Sequence, residues 1–200
     1  MITIYASLLV VLISSFIGLG AGVGMVYGPR WLYYLIRGYV DVIRGIPVLV
    51  LIFTAYYGLP ALGVEIENFA ASITALSAFS AAHVAEITRG AVQSIHQGQM
   101  EAGKAIGLNF LQRVVYVIFP QAVRRFLPPW INTVTEIVKG TSLISLIGVV
   151  DLMLAVQQVI GRTYAAMPVY LLGAFLYFLI NYSLSQASRR IEARYALMGG

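Results

Sequence analysis

Residues 2–26 read ITIYASLLVVLISSFIGLGAGVGMV, without an acidic or basic side chain among them. A helix that crosses a bilayer needs about 20 mostly apolar residues. The run begins at residue 2, with no basic segment before it and no small-residue cleavage site at the usual distance. It is expected to be a retained span and not a signal peptide. Four more runs follow, over residues 46–62, 69–87, 126–150 and 167–187. The second is short, the third is rich in Ala and Ser, and Pro168 suits the first turn of the fifth. The expected fold is all-α: one transmembrane domain over residues 1–200, a bundle of five membrane-spanning helices.

Composition agrees. The 200 residues are 60% hydrophobic and 10% charged, whereas soluble domains are nearer half apolar and a quarter charged. No soluble core hides that much apolar surface, so the lipid bilayer is the solvent for much of the chain. The net charge is +5, from 13 Lys and Arg against 8 Asp and Glu. The basic residues lie between apolar runs and form no basic face, which argues against nucleic acid as a partner. There is no cysteine, which excludes disulfides, thiolate catalysis and Cys-type zinc sites.

Loop charges predict the orientation. Arg30, Arg37 and Arg44 follow the first run. Arg89, Lys104, Arg113, Arg124 and Arg125 separate the third from the fourth, and Arg189, Arg190 and Arg194 end the chain. The other two connections hold Glu65 and Glu67, or Arg162 alone among bases. The positive-inside rule then places the N-terminus outside and the C-terminus in the cytoplasm, which five spans require. The connection over residues 89–125 becomes cytoplasmic. Ala102, Ala105, Ile106, Leu108, Leu111 and Val114 recur there at helical spacing. One or two short amphipathic helices are expected, with breaks at Gly98, Gly103 and Gly107. A half-apolar surface in water calls for a protein partner, its own bundle or the lipid interface.

Gly18/Gly22 and Gly20/Gly24 are small pairs at four-residue spacing, a helix-packing signal. Residues 98–105, GQMEAGKA, approach a phosphate-binding loop, but Ala105 stands where Ser or Thr must bind magnesium. No preceding buried strand is visible, so no nucleotide or other cofactor is expected on this chain. His83 and His96 lie far apart with no ligand-spaced carboxylates, and no metal or catalytic constellation appears. Glu136 and Lys139 share a face of the fourth run. Charges at membrane depth face a cavity or each other. With Asn132, Thr133, Thr135, Thr141 and Ser142 they suggest a lined pathway for a polar solute, or an internal ion pair. Glu86 and Arg89 suggest a pair at the end of the third run.

Glu101-Ala102-Gly103, then Gly107, then Ile118-Phe119-Pro120 resembles the EAA loop of ABC importer permeases. Gly103 stands where a second Ala is usual, and Phe119 where Leu is usual. Arg44-Gly45-Ile46-Pro47, Glu86-Ile87-Thr88-Arg89-Gly90, Pro120-Gln121-Ala122 and Lys139-Gly140-Thr141-Ser142-Leu143 are similar to the polar amino acid uptake subfamily, with Gly140 where Asp or Ser is usual. That resemblance implies a bacterial inner-membrane permease that works as a pair, with a second copy or a homologous permease. It implies two ATPase subunits carrying ATP and magnesium, and a periplasmic or lipid-anchored solute-binding protein that delivers an amino acid. Glu101 to Gly107 would be the coupling helix. Ala102 and Gly103 would allow close seating, Gly107 the bend, and Glu101 would hold the loop or pair with a base. A self-sufficient carrier or channel is the alternative, which five spans without an inverted repeat do not favour. A membrane enzyme would need clustered acids or histidines, which are not seen.

Overall fold

The computed structural model describes the backbone of residues 2–196 and the side chains of residues 2–186. The side chains of Arg189, Arg190 and Arg194 lie outside the described residues. Among those described there is no strand. Three helices are long and apolar enough to cross a membrane singly: α1 (Ile2–Tyr27), α5 (Asn68–Gln93) and α10 (Ala166–Ala196) through Gln186. Two bent pairs bring the total to five if each counts as one span.

The first bent pair joins α2 (Arg30–Gly45) to α3 (Val48–Phe53) and α4 (Leu59–Ala61), with a 105° bend between Arg30–Gly45 and Val48–Ala61. Residues 30–45, expected as a charged connection, are helical. Arg30, Arg37 and Arg44 recur every two turns and leave an apolar face, which buries Val40 against Met25, Ala82 and Ala85. The bend follows from Pro47, which forces the residue before it out of the helical region. Ile46 is accordingly extended, with φ −102° and ψ 132°.

The second pair begins earlier than expected. After α6 (Gln97–Ala105), α7 (Phe110–Arg113) runs through one π-helical turn (Val114–Ile118) into α8 (Phe119–Gly140) and a 3-10 segment (Thr141–Ile147). A 50° bend then leads to α9 (Leu152–Thr163). Residues 151–166, expected as a loop, therefore hold a helix. Asp151 caps it, its Oδ1 accepting from Leu154 N–H at 2.9 Å, and Thr3 Oγ1 accepts from Leu152 N–H at 2.9 Å.

Both π turns, Thr54–Gly58 and Val114–Ile118, end two residues before a proline, Pro60 and Pro120. A helical proline supplies no N–H to the carbonyl four residues back and crowds it. Those carbonyls belong to Tyr56 and Tyr116. Widening the turn relieves the crowding: Phe119 N–H donates to the Val114 carbonyl, five residues back.

The centre of the bundle is α5, the most buried of the three single spans. It lies parallel to α1, with Gly18 beside Ala81 and Val84, Gly22 beside Ala85 and Thr88, and Tyr5 stacked on Phe69 at 5.8 Å. A Cβ at Gly18 would stand 2.5 Å from Val84 Cβ, and one at Gly22 would stand 2.7 Å from the Ala85 carbonyl oxygen. Gly24 instead faces Leu32 and Ile36 of α2, and a Cβ on Gly20 would meet nothing. Hydroxyls buried in this seam return to their own helix: Ser72 Oγ donates to the Asn68 carbonyl at 2.7 Å and Thr88 Oγ1 to Val84 at 2.7 Å. Such back-bonding satisfies a hydroxyl inside the protein; Ser77 Oγ of α5 is buried without a hydrogen-bond partner.

Overpacking a tight contact costs about 1–3 kcal/mol. Gly18→Leu and Gly22→Leu are therefore expected to lower the unfolding temperature in detergent, while Gly20→Leu leaves it unchanged. A fluorescence-detected melt of the three variants checks this.

Candidate functional site

Two regions carry chemistry: the folded element between α5 and α8, and a cleft where α3, α5 and α8 meet.

The element starts at His96, whose Nδ1 accepts from Gly98 N–H at 3.1 Å and opens α6. Gly107, at φ +85°, ends that helix. Gly107 N–H donates to the Lys104 carbonyl and Leu108 N–H to the Gly103 carbonyl, both at 3.0 Å. This is the Schellman closure that a left-handed glycine permits. Asn109 and Gln112 then form a reciprocal capping box, each side chain accepting the other's N–H at 2.9 Å. Of the three expected breaks only Gly107 is one. Gly98 lies in the first turn of α6. Gly103 is buried, and a Cβ there would stand 2.9 Å from Arg113 Cγ. Arg113 bridges back with Nη1 donating to the Met100 carbonyl at 3.4 Å.

The element is anchored at its base. Ile95, Ile118 and Ala122 form a buried cluster with Val92 and Met100 against it. Arg125 donates to the Ser94 carbonyl and hydroxyl, the latter at 2.8 Å. Its outer face carries Ile106, Phe110, Leu111 and Tyr116 exposed, together with Glu101, Ala102 and Pro120. Glu101 makes no hydrogen bond or ion pair among the described residues. The sequence motif is thus split by the fold: Glu101 and Ala102 face outward, whereas Gly103 serves the element's own packing.

The cleft encloses about 190 Å³ and is lined by Val48, Leu76, Phe79, Ser80, His83, Thr133, Glu136, Ile137 and Gly140. His83 was not singled out for this role in the sequence. It lies on a different helix from Glu136, and no spacing rule joins them. Asn132, Glu136 and Lys139 are exposed on α8 at four- and three-residue steps. Lys139 nevertheless lines a different groove of about 390 Å³, with Ser142, Val156, Tyr170 and Tyr177. Asn132 and Thr141 are in neither lining. Thr133, Thr135, Thr141 and Ser142 all donate to carbonyls of their own helical run, at 3.2, 3.0, 2.8 and 2.8 Å.

Among the described residues the ion pairs are Arg37–Asp41 at 2.9 Å, Arg37–Glu86 at 3.4 Å and Arg89–Glu86 at 2.5 Å. Glu136 and Lys139 do not pair. Glu86 accepts from Arg89 in fork geometry and reaches Arg37, so it ties α2 to α5 as well as closing its own helix. Arg44, Gly45 and Pro47 are exposed around the α2–α3 bend, and Gly90 is exposed on α5 with open space beside it. No group of three His, Asp or Glu side chains among the described residues could hold a metal ion.

A multi-span membrane subunit with a cleft in its bundle that holds Glu136 and His83 among apolar walls, and a capped helical element between two of its spans, fits the architecture of a transport permease. The chain belongs to the binding-protein-dependent transport system inner membrane component family, whose model matches residues 14–197. It is 37% identical to the probable glutamine ABC transporter permease protein GlnP of Bacillus subtilis, over 97% of this chain and 90% of that one. It is 36% identical to the glutamine transport system permease protein GlnP of Escherichia coli K12, over 98% and 90%. The crystal structure of an amino acid ABC transporter with histidines superposes with a TM-score of 0.91 at 31% identity, covering 96% of this chain and 90% of that one. An inward-facing MetNI methionine ABC transporter shares the fold, with a TM-score of 0.79 at 23% identity over 96% and 92%. The chain is thus a multi-pass permease subunit of the inner membrane.

Removing a helix N-cap costs about 1 kcal/mol, and Asn109→Ala removes the capping bond that Asn109 Oδ1 accepts from Gln112 N–H. Gly103→Val pushes a side chain into the Arg113 stem. Limited proteolysis is expected to cleave residues 97–113 faster in both variants than in the wild type, fastest in Gly103→Val. Ala102→Val, on the open face, should be cut at the wild-type rate.

Proposed function

We propose that this chain is the permease of an ATP-driven importer for a polar amino acid, working as a pair with a second copy or a homologous permease. ATP hydrolysis belongs to a separate pair of ATPase subunits that seat on the element from Gln97 to Ile118. A solute-binding protein delivers the amino acid from the other side. The chain itself binds no cofactor, and ATP and magnesium reside on the ATPase.

The single observation that carries this reading is the projecting element. Its backbone is closed at both ends by caps, and yet it presents Ile106, Phe110, Leu111 and Tyr116 to solvent. An ordered water-side surface with unburied apolar groups suits a partner groove. Arginines around this end of the bundle support a cytoplasmic position, with the N-terminus outside and the C-terminus inside. The relatives' amino acid substrates support the cargo class. The cleft around Glu136 and His83 is then the place where a polar solute meets the bundle. Asn132, Lys139, Thr141 and Ser142 lie on the same helical run beyond it.

Co-purification with the ATPase, followed by ATPase and uptake assays, tests the reading. Glu101→Arg and Gly107→Trp are expected to lose ATPase stimulation and uptake at least about ten-fold while still inserting, because one replaces the outward acid and the other forbids the left-handed turn. Wild-type coupling in both would refute the docking role. Glu136→Gln is expected to impair uptake of a cationic amino acid, and unchanged rate and affinity would leave Glu136 a structural role only.

A further inference from the structure

We infer that α2 lies in the headgroup region of the leaflet beside the projecting element and binds acidic phospholipid there, one headgroup at Arg30 and another at Arg44. The inference needs only that the chain spans a bilayer, and it stands apart from the importer reading.

The geometry sets α2 across the bundle. α3 follows α5: Val48 lines the cleft with Phe79 and His83, and Ile52 is buried with Ile73 and Leu76. The 105° bend at Pro47 turns α2 nearly square to that direction. α2 crosses the C-terminal half of α5, where Val40 packs on Ala82 and Ala85 and Arg37 reaches Glu86. The projecting element leaves from the same end of α5.

Successive helical residues turn by about 100°, which divides α2 into three faces. Tyr33, Ile36, Tyr39, Val40 and Ile43 pack into the bundle. Arg30, Arg37, Asp41 and Arg44 share an outer stripe about 60° wide. Trp31, Leu35 and Val42 form a second outer stripe beside it, all exposed, with the exposed Tyr34 between the two. A helix facing water would carry polar groups across its whole outer face, and a helix sunk in lipid would carry none. An outer face split lengthwise suits the boundary, with acyl chains against the apolar stripe and phosphates against the arginines. Trp and Tyr favour that level.

Charge selects the lipid. Arg37 is taken up by Asp41 and Glu86, at 2.9 and 3.4 Å. Arg30 and Arg44 are exposed and make no hydrogen bond or ion pair among the described residues. They stand about 21 Å apart along the helix axis, too far to share one headgroup. Each offers a guanidinium fork that matches phosphate oxygens. An acidic phospholipid brings the net negative charge that a zwitterionic one lacks.

The test is tryptophan quenching in the full chain, reconstituted in phosphatidylcholine bilayers with an equal small fraction of brominated phosphatidylglycerol or brominated phosphatidylcholine. Trp31 reports on Arg30, and subtracting the signal of Trp31→Phe removes Trp130, the other tryptophan. Val42→Trp in the Trp31→Phe chain reports on Arg44 in the same way. Each reporter is expected to favour brominated phosphatidylglycerol about five-fold, the contribution of one basic side chain at an anionic surface. Arg30→Gln should abolish the preference at position 31 and spare it at 42, and Arg44→Gln should do the reverse. In the chain with both arginines the preference should weaken as salt rises to about 1 M, a readout that needs no arginine substitution. Equal quenching by the two lipids with both arginines present, a preference that ignores salt, or one that survives loss of the neighbouring arginine would overturn the inference. Quenching by neither lipid would also overturn it, and is the result if a second copy of the chain covers this face.

Discussion

Two glycines one helical turn apart on α1 let that helix lie against the backbone of α5. With lipid on the outside, no hydrophobic driving force pulls apolar helices together, so association depends on close van der Waals packing. Gly18 and Gly22 supply it, and the Ala- and Ser-rich face of α5 receives them. The other contacts are set from this pair. Trp130 Nε1 of α8 donates to Ser15 Oγ of α1 at 2.9 Å. Asn68 of α5 donates to the Ile147 carbonyl at 2.6 Å, and Thr3 of α1 caps α9. Polar groups act here as point ties between apolar helices, each satisfied inside the protein because lipid offers no substitute.

The connection from α7 to α8 gives the molecule its functional logic. One helical run carries the exposed apolar residues of the projecting element at one end and Glu136 further along. Movement of the element's α7 portion therefore reaches the cleft wall without crossing a loop, whereas α6 joins that run across the Gly107 turn. The proline-set π turn at Val114–Ile118 is the irregular point on that run. The Ile95, Ile118 and Ala122 cluster holds its inner side to the end of α5. In the proposed importer this is the place where motion at the ATPase becomes motion of α8.

Much of the fold was legible in the sequence because lipid imposes long apolar runs, and α1, α5 and α10 are such runs. What was not legible shows which signals are weak. Arg30, Arg37 and Arg44 made α2 look like a connection, although their seven-residue spacing is a helical pattern with one polar stripe. Asp151 before Leu152, with apolar residues at helical steps after it, marked α9, but its brevity hid it among loop residues. The site divided in the same way. The motif from Glu101 to Pro120 stood out through local spacing, as did Glu136 through its place in an apolar run. Gly103 packing against Arg113, and His83 and Glu136 lining one cleft, depend on how separate helices come together. Gly20, by contrast, matched a packing motif that the fold leaves unused.

The chain has no cysteine, so a single one at Leu111, on the open face of the element, can be read without background. Its labelling by a membrane-impermeant maleimide tests most directly whether this element is a cytoplasmic seat for the ATPase. The account predicts modification in inside-out vesicles, none in intact cells, and protection once the ATPase subunits are bound. Modification from outside the cell, or equal modification with and without the ATPase, would contradict it.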